Sequence, residues 1–399
     1  MNKQLAERNI RLYYVFRLFF EPLFWGPILI IFIQLASGMS LAEVYLMEAV
    51  CILVSVFLEI PTGALADLIG RRKTIIVGYS LVMVMMLMFS LAESRLMMWL
   101  ADIVCFAGIT FVSGADSALL FDSLKFLGRE GEHKKILGRA LSWRYFLIAI
   151  CSVVGGYLAT INMRLPLFLC LPPMILNWLV AWWFTEAPFA GNSYYDAREH
   201  WRIMKTSVLF VANHLKVKWL ISFMVLVSVA GKLWFFTYNN YFVEVGLPMW
   251  TFGWIFAALN VVAGVFSYRA HWLYSRLGDD ISVIGVVLCL GLPILAMGSF
   301  VIWPAALLVI VQNFVRGYFE PFINDFLQQY LDSENRATVL SIKSAVTSSV
   351  HVLSLLVFGW LLASWSLATC LQILGVSVLT FGAILIWSYR KIFVSKVGR

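Results

Sequence analysis

Twelve apolar runs, each long enough to cross a hydrocarbon layer, follow one another along this chain with little polar sequence between them. A spanning helix needs about 20 mostly apolar residues. In lipid the backbone N–H and C=O groups must be satisfied inside the segment, which leaves helices or closed barrels. Runs of this length predict an all-α membrane protein. The runs are 12–36, 41–66, 73–93, 96–124, 136–160, 164–186, 217–244, 250–272, 281–301, 303–331, 337–362 and 366–389. Connections such as Ser37–Ser40 and Ile161–Met163 are so short that neighbouring helices must run antiparallel. Only 13% of the residues are charged, against about 25% in soluble domains, so the apolar surplus must face lipid.

The polar residues organise the runs. The longest polar stretch contains Asp196, Arg198, Glu199, His200, Arg202 and Lys205, and it divides the chain into two sets of six. The expected plan is an N-terminal six-helix lobe (1–186), a cytoplasmic linker (187–216) and a C-terminal six-helix lobe (217–399). The halves carry a weak repeat: Gly114 precedes Asp122 by eight residues as Gly317 precedes Asp325, and Arg139 and Arg336 open the helices that follow. That repeat predicts two lobes related by a pseudo-two-fold axis. With both termini placed in the cytoplasm, 23 of the 30 Lys and Arg residues fall inside and only Arg95 and Arg164 outside. Such asymmetry is the orientation signal of membrane helices. The formal charge of +8 is spread in short clusters between apolar runs. A nucleic-acid binder concentrates its basic residues on one face, so no nucleic-acid partner is expected. The six cysteines all lie inside apolar runs without a CxxC pair and read as small core residues. The first run lacks the short core and cleavage pattern of a signal peptide and reads as a mature helix.

The most specific string runs from Glu59 to Lys73, where helix 2 passes into helix 3. Glu59, Gly63 and Asp67 are spaced i, i+4, i+8 and share one helix face. Gly63 would let a neighbouring helix come close, and Asp67 could accept from the N–H groups at a helix N-terminus. Gly70 suits a tight turn, and Arg71 and Arg72 anchor the loop. Here the chain resembles the major facilitator superfamily, in particular its bacterial drug and metabolite transporters. The 2–3 loop signature of that family reads roughly G-x-L-a-D-r-x-G-r-r, and Gly63, Leu65, Asp67, Gly70, Arg71 and Arg72 match it. Leu68 stands where a basic residue is usual. The resemblance implies that Glu59, Gly63, Asp67, Gly70, Arg71 and Arg72 form a gating motif that latches two lobes in an outward-facing state. The equivalent stretch His271–Asp280 keeps only Leu277 and Gly278 of the pattern. A family antiporter signature in helix 5, G-P-x-x-G-G, survives only as Gly155 and Gly156.

Charges inside the spans are costly unless paired or wetted, so each is a candidate. Glu21, Glu320 and Asp116, in that order, are candidates for proton coupling, because a buried acid can exchange a proton near neutral pH. Reckoned along the first run, Glu21 lies near the midplane. Arg17, Arg144, Lys232, Tyr238, Asn239, Arg316 and Lys343 are candidate substrate-binding residues. Asp122, Arg139, Asp325 and Arg336, near helix ends, are candidate inter-lobe gates. A plainer reading stays open: Arg17 with Glu21 and Arg316 with Glu320 have the spacing of intrahelical pairs, and such pairs can simply hold a bundle together.

No phosphate loop, zinc-protease pattern or catalytic triad is present, so neither an enzyme nor an ATPase is expected. No metal site and no cofactor are expected, and the energy source would be a proton or other ion gradient. The reading is a secondary active transporter of a small organic solute working by alternating access. Proton-coupled efflux of drugs or metabolites is placed ahead of uptake or exchange of an organic anion or zwitterion. A non-transporting receptor or assembly protein on the same fold is the remaining alternative. The expected setting is the bacterial inner membrane, multi-pass, as a monomer among lipids.

Overall fold

The computed structural model describes residues 2–186, 211, 214–330 and 333–394. Within them the regular elements are helices: α1 Lys3–Leu18, α2 Leu29–Ser37, α3 Leu41–Ile69, α4 Arg71–Leu91, α5 Arg95–Val112, α6 Ala115–Phe126, α7 His133–Ile161, α8 Leu165–Trp183, α9 Leu215–Glu244, α10 Met249–Ser299, α11 Val309–Tyr330, α12 Ser333–Ser364 and α13 Leu367–Tyr389, with short 3-10 and π turns between or after them.

Helix ends follow local chemistry. Ser40 and Glu43 form a capping box at the start of α3: the Ser40 hydroxyl accepts from the Glu43 N–H, and the Glu43 carboxylate accepts from the Ser40 N–H at 2.8 Å. The Ser94 and Ser366 hydroxyls cap α5 and α13 by accepting from the Met97 and Thr369 N–H groups. Arg95 bonds Glu43 at 2.6 Å and the Gly38 carbonyl at 2.9 Å. Arg164 bonds the carbonyls of Ser90 and Ala92. Thus the two arginines assigned to outer loops each fasten a neighbouring turn. At the other end of unit 1 (defined below), Arg129 holds Glu132 through two bonds and Glu7 through a third. Its bonds to Glu132, ahead of the Glu7 pairing, hold the guanidinium above its already high ordinary value.

Four of the expected spans differ in detail. The first is not one helix: α1 stops at Leu18 and α2 starts at Leu29, with an irregular stretch between them. That stretch contains Pro22 and Pro27, which lack an N–H to continue the ladder, and Gly26. The fourth breaks at Ser113-Gly114, where Gly114 adopts φ +83. The eighth and ninth run on as α10, interrupted only at Gly278 (φ +69). Nine helices among the described residues are long and apolar enough to cross a membrane. One of them, Met249–Ser299, holds two expected spans. The broken first span and the charge-bearing tenth, in α11, account for the other two.

The chain divides into two compact units, Met1–Tyr194 with Pro248–Asn260, and Tyr195–Leu247 with Val261–Arg399. In unit 1, α4 packs along α5 and α8, and α1 lies against α6, α7 and α8. In unit 2, α9 packs on α12 and α13. Trp219 of α9 donates its indole N–H to the Leu385 carbonyl of α13 at 2.8 Å.

Candidate functional site

The break in the first span is built, not frayed. Ending α1 inside an apolar layer orphans its last carbonyls, each of which costs free energy unless another group supplies a bond. Asn177 of α8 donates to the Phe16 carbonyl at 3.0 Å, and Tyr79 of α4 donates to the Phe19 carbonyl at 2.8 Å. Further along, the Phe24 N–H reaches the Cys170 sulfur at 3.4 Å. Leu23 packs with Ile148 and Cys151 of α7. Gly155 of α7 leaves room for the Phe24 carbonyl, which a Cβ would strike. The next residue, Gly156, meets the backbone of Gly253, where a Cβ would lie 2.7 Å from the Gly253 Cα. The two glycines left of the helix 5 signature therefore both sit at close backbone contacts beside the break.

Four charges gather there. Arg17, in the last turn of α1, bonds the Tyr13 hydroxyl at 2.9 Å and Asp116 at 2.8 Å. Its guanidinium lies 5.1 Å from the Phe20 ring centre. Asp116 occupies the first turn of α6, just after the Gly114 break, where the helix dipole favours an anion. Its side chain is 2% exposed and that of Arg17 25%. Glu21, on the irregular stretch, meets Arg144 of α7 at 3.1 Å, the two being 45% and 13% exposed. Arg144 is also within electrostatic reach of Asp116. The arrangement revises two expectations. Glu21 is not on a helix and does not pair with Arg17 along one; each finds a partner on another element. Nor is Glu21 deeply buried: its side chain is nearly half exposed, and Asp116 is the buried acid of the two. The repeat is also unequal in form, since Gly114 breaks a helix whereas Gly317 lies inside α11.

The motif loop is fastened within unit 1. Gly70 turns the chain at φ +94 between α3 and α4, and its missing Cβ leaves room for the Glu186 carboxylate. That carboxylate accepts from the N–H groups of Arg71 and Arg72 at 2.7 and 2.9 Å, capping α4. Arg71 bonds Asp122 at 3.0 Å and Arg72 bonds the Trp182 carbonyl at 2.7 Å. Asp122, expected as an inter-lobe gate, is thus held by the loop of its own unit. The sequence reading gave Asp67 the N–H-accepting role; at α4 it is Glu186 that performs it, and the Asp67 side chain lies outside the described residues. So do the side chains of Asp325 and Arg336, as does most of the 187–216 linker. Glu59 and Arg139 are exposed. Against expectation, no described atom lies within 4 Å of a Cβ built on Gly63.

In unit 2 the basic candidates lie on three helices. Lys232 of α9 sits 5.0 Å from the Phe236 ring centre. His351 of α12 reaches Ser228 at 3.3 Å and lies within electrostatic reach of Lys232 and Lys343. Arg316 of α11 is exposed but within electrostatic reach of buried Tyr238. Glu320 is exposed on the same helix. Asn239 and Gln312 are 2% and 4% exposed. Among the described residues the Asn239 side-chain oxygen and both Gln312 amide atoms have no hydrogen-bond partner. Gln312 was not among the expected site residues; its buried amide on a spanning helix was the available signal.

A helical membrane fold with broken spans that carry paired charges defines a solute transporter. The chain belongs to the Major Facilitator Superfamily, whose family model matches residues 14–354. It is 21% identical over 375 residues to the MFS-type transporter YxaM of Bacillus subtilis, covering 89% of each chain. In structure it is similar to the nucleoside transporter NupG, with a TM-score of 0.74 at 12% identity over 98% of this chain and 99% of the other. A mutant form of NupG gives 0.77, with 98% and 100% coverage. The D-xylose-proton symporter gives 0.70 at 12% identity, with 97% and 96% coverage. The chain therefore has the twelve-helix fold of these transporters and is a multi-pass plasma-membrane protein. Family and fold are those of transporters, which bind small solutes within the membrane and need no cofactor.

Proposed function

We propose that this transporter works by alternating access and couples a proton to the movement of a small organic anion or zwitterion. The Arg17–Asp116 pair at the two helix breaks carries the reading. A proton reaching Asp116 removes the charge that holds Arg17. The freed guanidinium then presents donors to an anionic group of the solute, a geometry in which arginine is strong. Loss of the proton restores the pair and displaces the solute. Arg144 and Glu21 stand in the same relation beside it. In unit 2, Lys232, Tyr238, Asn239, Arg316 and Lys343 remain proposed substrate-binding residues. The name of the D-xylose-proton symporter states proton coupling for that protein, and the same coupling is proposed here. Glu59, Gly63, Asp67, Gly70, Arg71 and Arg72 are proposed as the gating motif, with Asp122 as the partner of Arg71. Asp325, Arg139 and Arg336 remain proposed gate residues, and Glu320 a secondary proton carrier.

Efflux of drugs or metabolites, placed first on sequence grounds, would for a cationic drug favour acids not already neutralised. Here Asp116 and Glu21 each face an arginine, so anion or zwitterion transport is preferred. The test is reconstitution in liposomes with an imposed pH gradient and labelled carboxylate, amino-acid and cationic solutes. Gradient-driven movement of an anionic or zwitterionic solute, lost in Asp116→Asn, is the expected result. Movement of cations alone would overturn the solute class, and movement of no solute would favour the non-transporting receptor.

A further inference from the structure

Unit 2 carries a groove that the transport reading does not use. A groove of about 690 Å³ runs between α9, α12 and α13 and is lined mostly by apolar side chains. Val225 and Val229 of α9, Val350 and Val357 of α12, and Ser377 and Phe381 of α13 mark its walls. Val357 and Phe381 are strongly exposed, so these walls are not closed by the unit itself. Along α9 the lining extends from Ile221 to Leu233, roughly 18 Å at 1.5 Å per residue. That is close to one leaflet, half of a hydrocarbon core about 30 Å thick.

The end of the groove at Ile221 and Leu385 is chemically distinct. Lys218 lies four residues before the lining residue Ser222 and so shares its face. Arg390 and Lys391 follow Leu385 on the antiparallel partner, and Trp219 ties the two helices together at this level. Lys216, Lys218, Arg390 and Lys391 are all exposed. Lys391 lies 3.7 Å from the Trp387 ring centre and Lys216 5.3 Å from that of Phe393. Trp387, exposed at this end, is placed as the aromatics of a membrane–water interface are. The combination is an apolar channel one leaflet long, ending in four cations at headgroup level.

We propose that the α9–α12–α13 groove binds an anionic glycerophospholipid, one acyl chain lying along Val225, Val229 and Phe381 and the phosphate held by Lys218, Arg390 and Lys391. Charge selects the lipid: a zwitterionic headgroup carries its own cation to the same place and gains less from the cluster.

The experiment purifies the full chain in neutral detergent and adds phosphatidylglycerol, phosphatidylcholine with the same acyl chains, or glycerol 3-phosphate. Retained lipid is counted by native mass spectrometry and stability is read by thermal unfolding. Phosphatidylglycerol should be retained near one per chain and raise the unfolding temperature. Phosphatidylcholine should do so at least tenfold more weakly and glycerol 3-phosphate not at all. A triple variant, Lys218→Gln, Arg390→Gln and Lys391→Gln, should lose the preference for phosphatidylglycerol; being exposed, these positions leave the packing intact. Val229→Trp, which fills the groove, should lose retention of both lipids. Equal retention of the two lipids, or a preference that survives both variants, would overturn the proposal. Binding of glycerol 3-phosphate alone would reassign the cations to a free phosphate. A groove occupied by a second copy of the chain, seen as a dimer that phosphatidylglycerol does not dissociate, would also overturn it.

Discussion

Arg17 and Asp116 lie 2.8 Å apart in space and 99 residues apart in sequence, each at the edge of a broken helix. Both breaks are needed for the contact. Leu18 ends α1 one residue after Arg17, and Gly114 re-aims the chain two residues before Asp116. Removing one partner leaves the other charge without its counterion, a cost of about 3–5 kcal/mol for a fully buried pair. Arg17 is a quarter exposed, which reduces the figure to about 1–3 kcal/mol after screening. Asp116→Asn and Arg17→Gln should each lower the unfolding temperature. The double variant should recover part of the loss, because neither charge is then stranded. If the proton enters at Asp116, transport in Asp116→Asn should become independent of pH while wild type remains dependent. A rate of Asp116→Asn that still follows pH would remove this residue from coupling.

Glu186 gives a second prediction, on stability and gating together. Its carboxylate caps α4 through the N–H groups of Arg71 and Arg72. Glu186→Gln keeps one acceptor and loses the charge, so the expected cost is about 1 kcal/mol. Gly70→Ala should cost more, since it strains φ +94 and drives a Cβ to 2.9 Å from the same carboxylate. Thermal unfolding of the two variants and of their combination measures this. Their effects should be less than additive, because both act on one contact.

The apolar runs made the class of fold legible, since no other arrangement satisfies backbone groups in lipid. The 59–73 string made the family legible, because its turn and anchoring residues are contiguous. The site was less legible. Glu21 and Arg17 were visible as costly charges, but spacing offered each the other as partner, and the real partners come from distant spans. Pro22, Gly26 and Pro27 signalled the break, yet the apolar run continues through them and hides it. Glu186 stood at the end of an apolar run, where it read as the margin of a helix and not as the cap of another. Tyr79 and Asn177 carried no signal until the break gave them carbonyls to bind.

Those two side chains support a third prediction. Tyr79→Phe removes the donor to the Phe19 carbonyl and Asn177→Leu the donor to the Phe16 carbonyl. Polar contacts between membrane helices are worth about 0.6–1.7 kcal/mol, so each variant should be destabilised by about 1 kcal/mol. Because the contacts hold the stretch that bears Glu21, the Glu21–Arg144 pair should loosen with them. Hydrogen exchange over residues 16–28 checks this. Faster exchange there with unchanged α13 is expected, whereas no local change would mean that the break is held by apolar packing alone.

Two glycines of α7 should respond in opposite directions to the same substitution. Gly138 is exposed and a Cβ on it meets nothing within 4 Å. Gly138→Ala gains helix propensity and should stabilise the protein by up to about 1 kcal/mol. Gly156 faces the Gly253 backbone, where a Cβ would lie 2.7 Å from Cα and N. Backbone cannot swing aside like a side chain, so Gly156→Ala must push α7 away from Gly253. The clash outweighs the propensity gain, and overpacking of this kind costs about 1–3 kcal/mol. It should also displace Gly155 from Phe24, and with it the stretch that holds Glu21 against Arg144. Thermal unfolding should therefore rank Gly138→Ala above wild type and wild type above Gly156→Ala. Transport should fall only in Gly156→Ala; equal behaviour of the two variants would mean that α7 and Gly253 are not in close contact in the membrane.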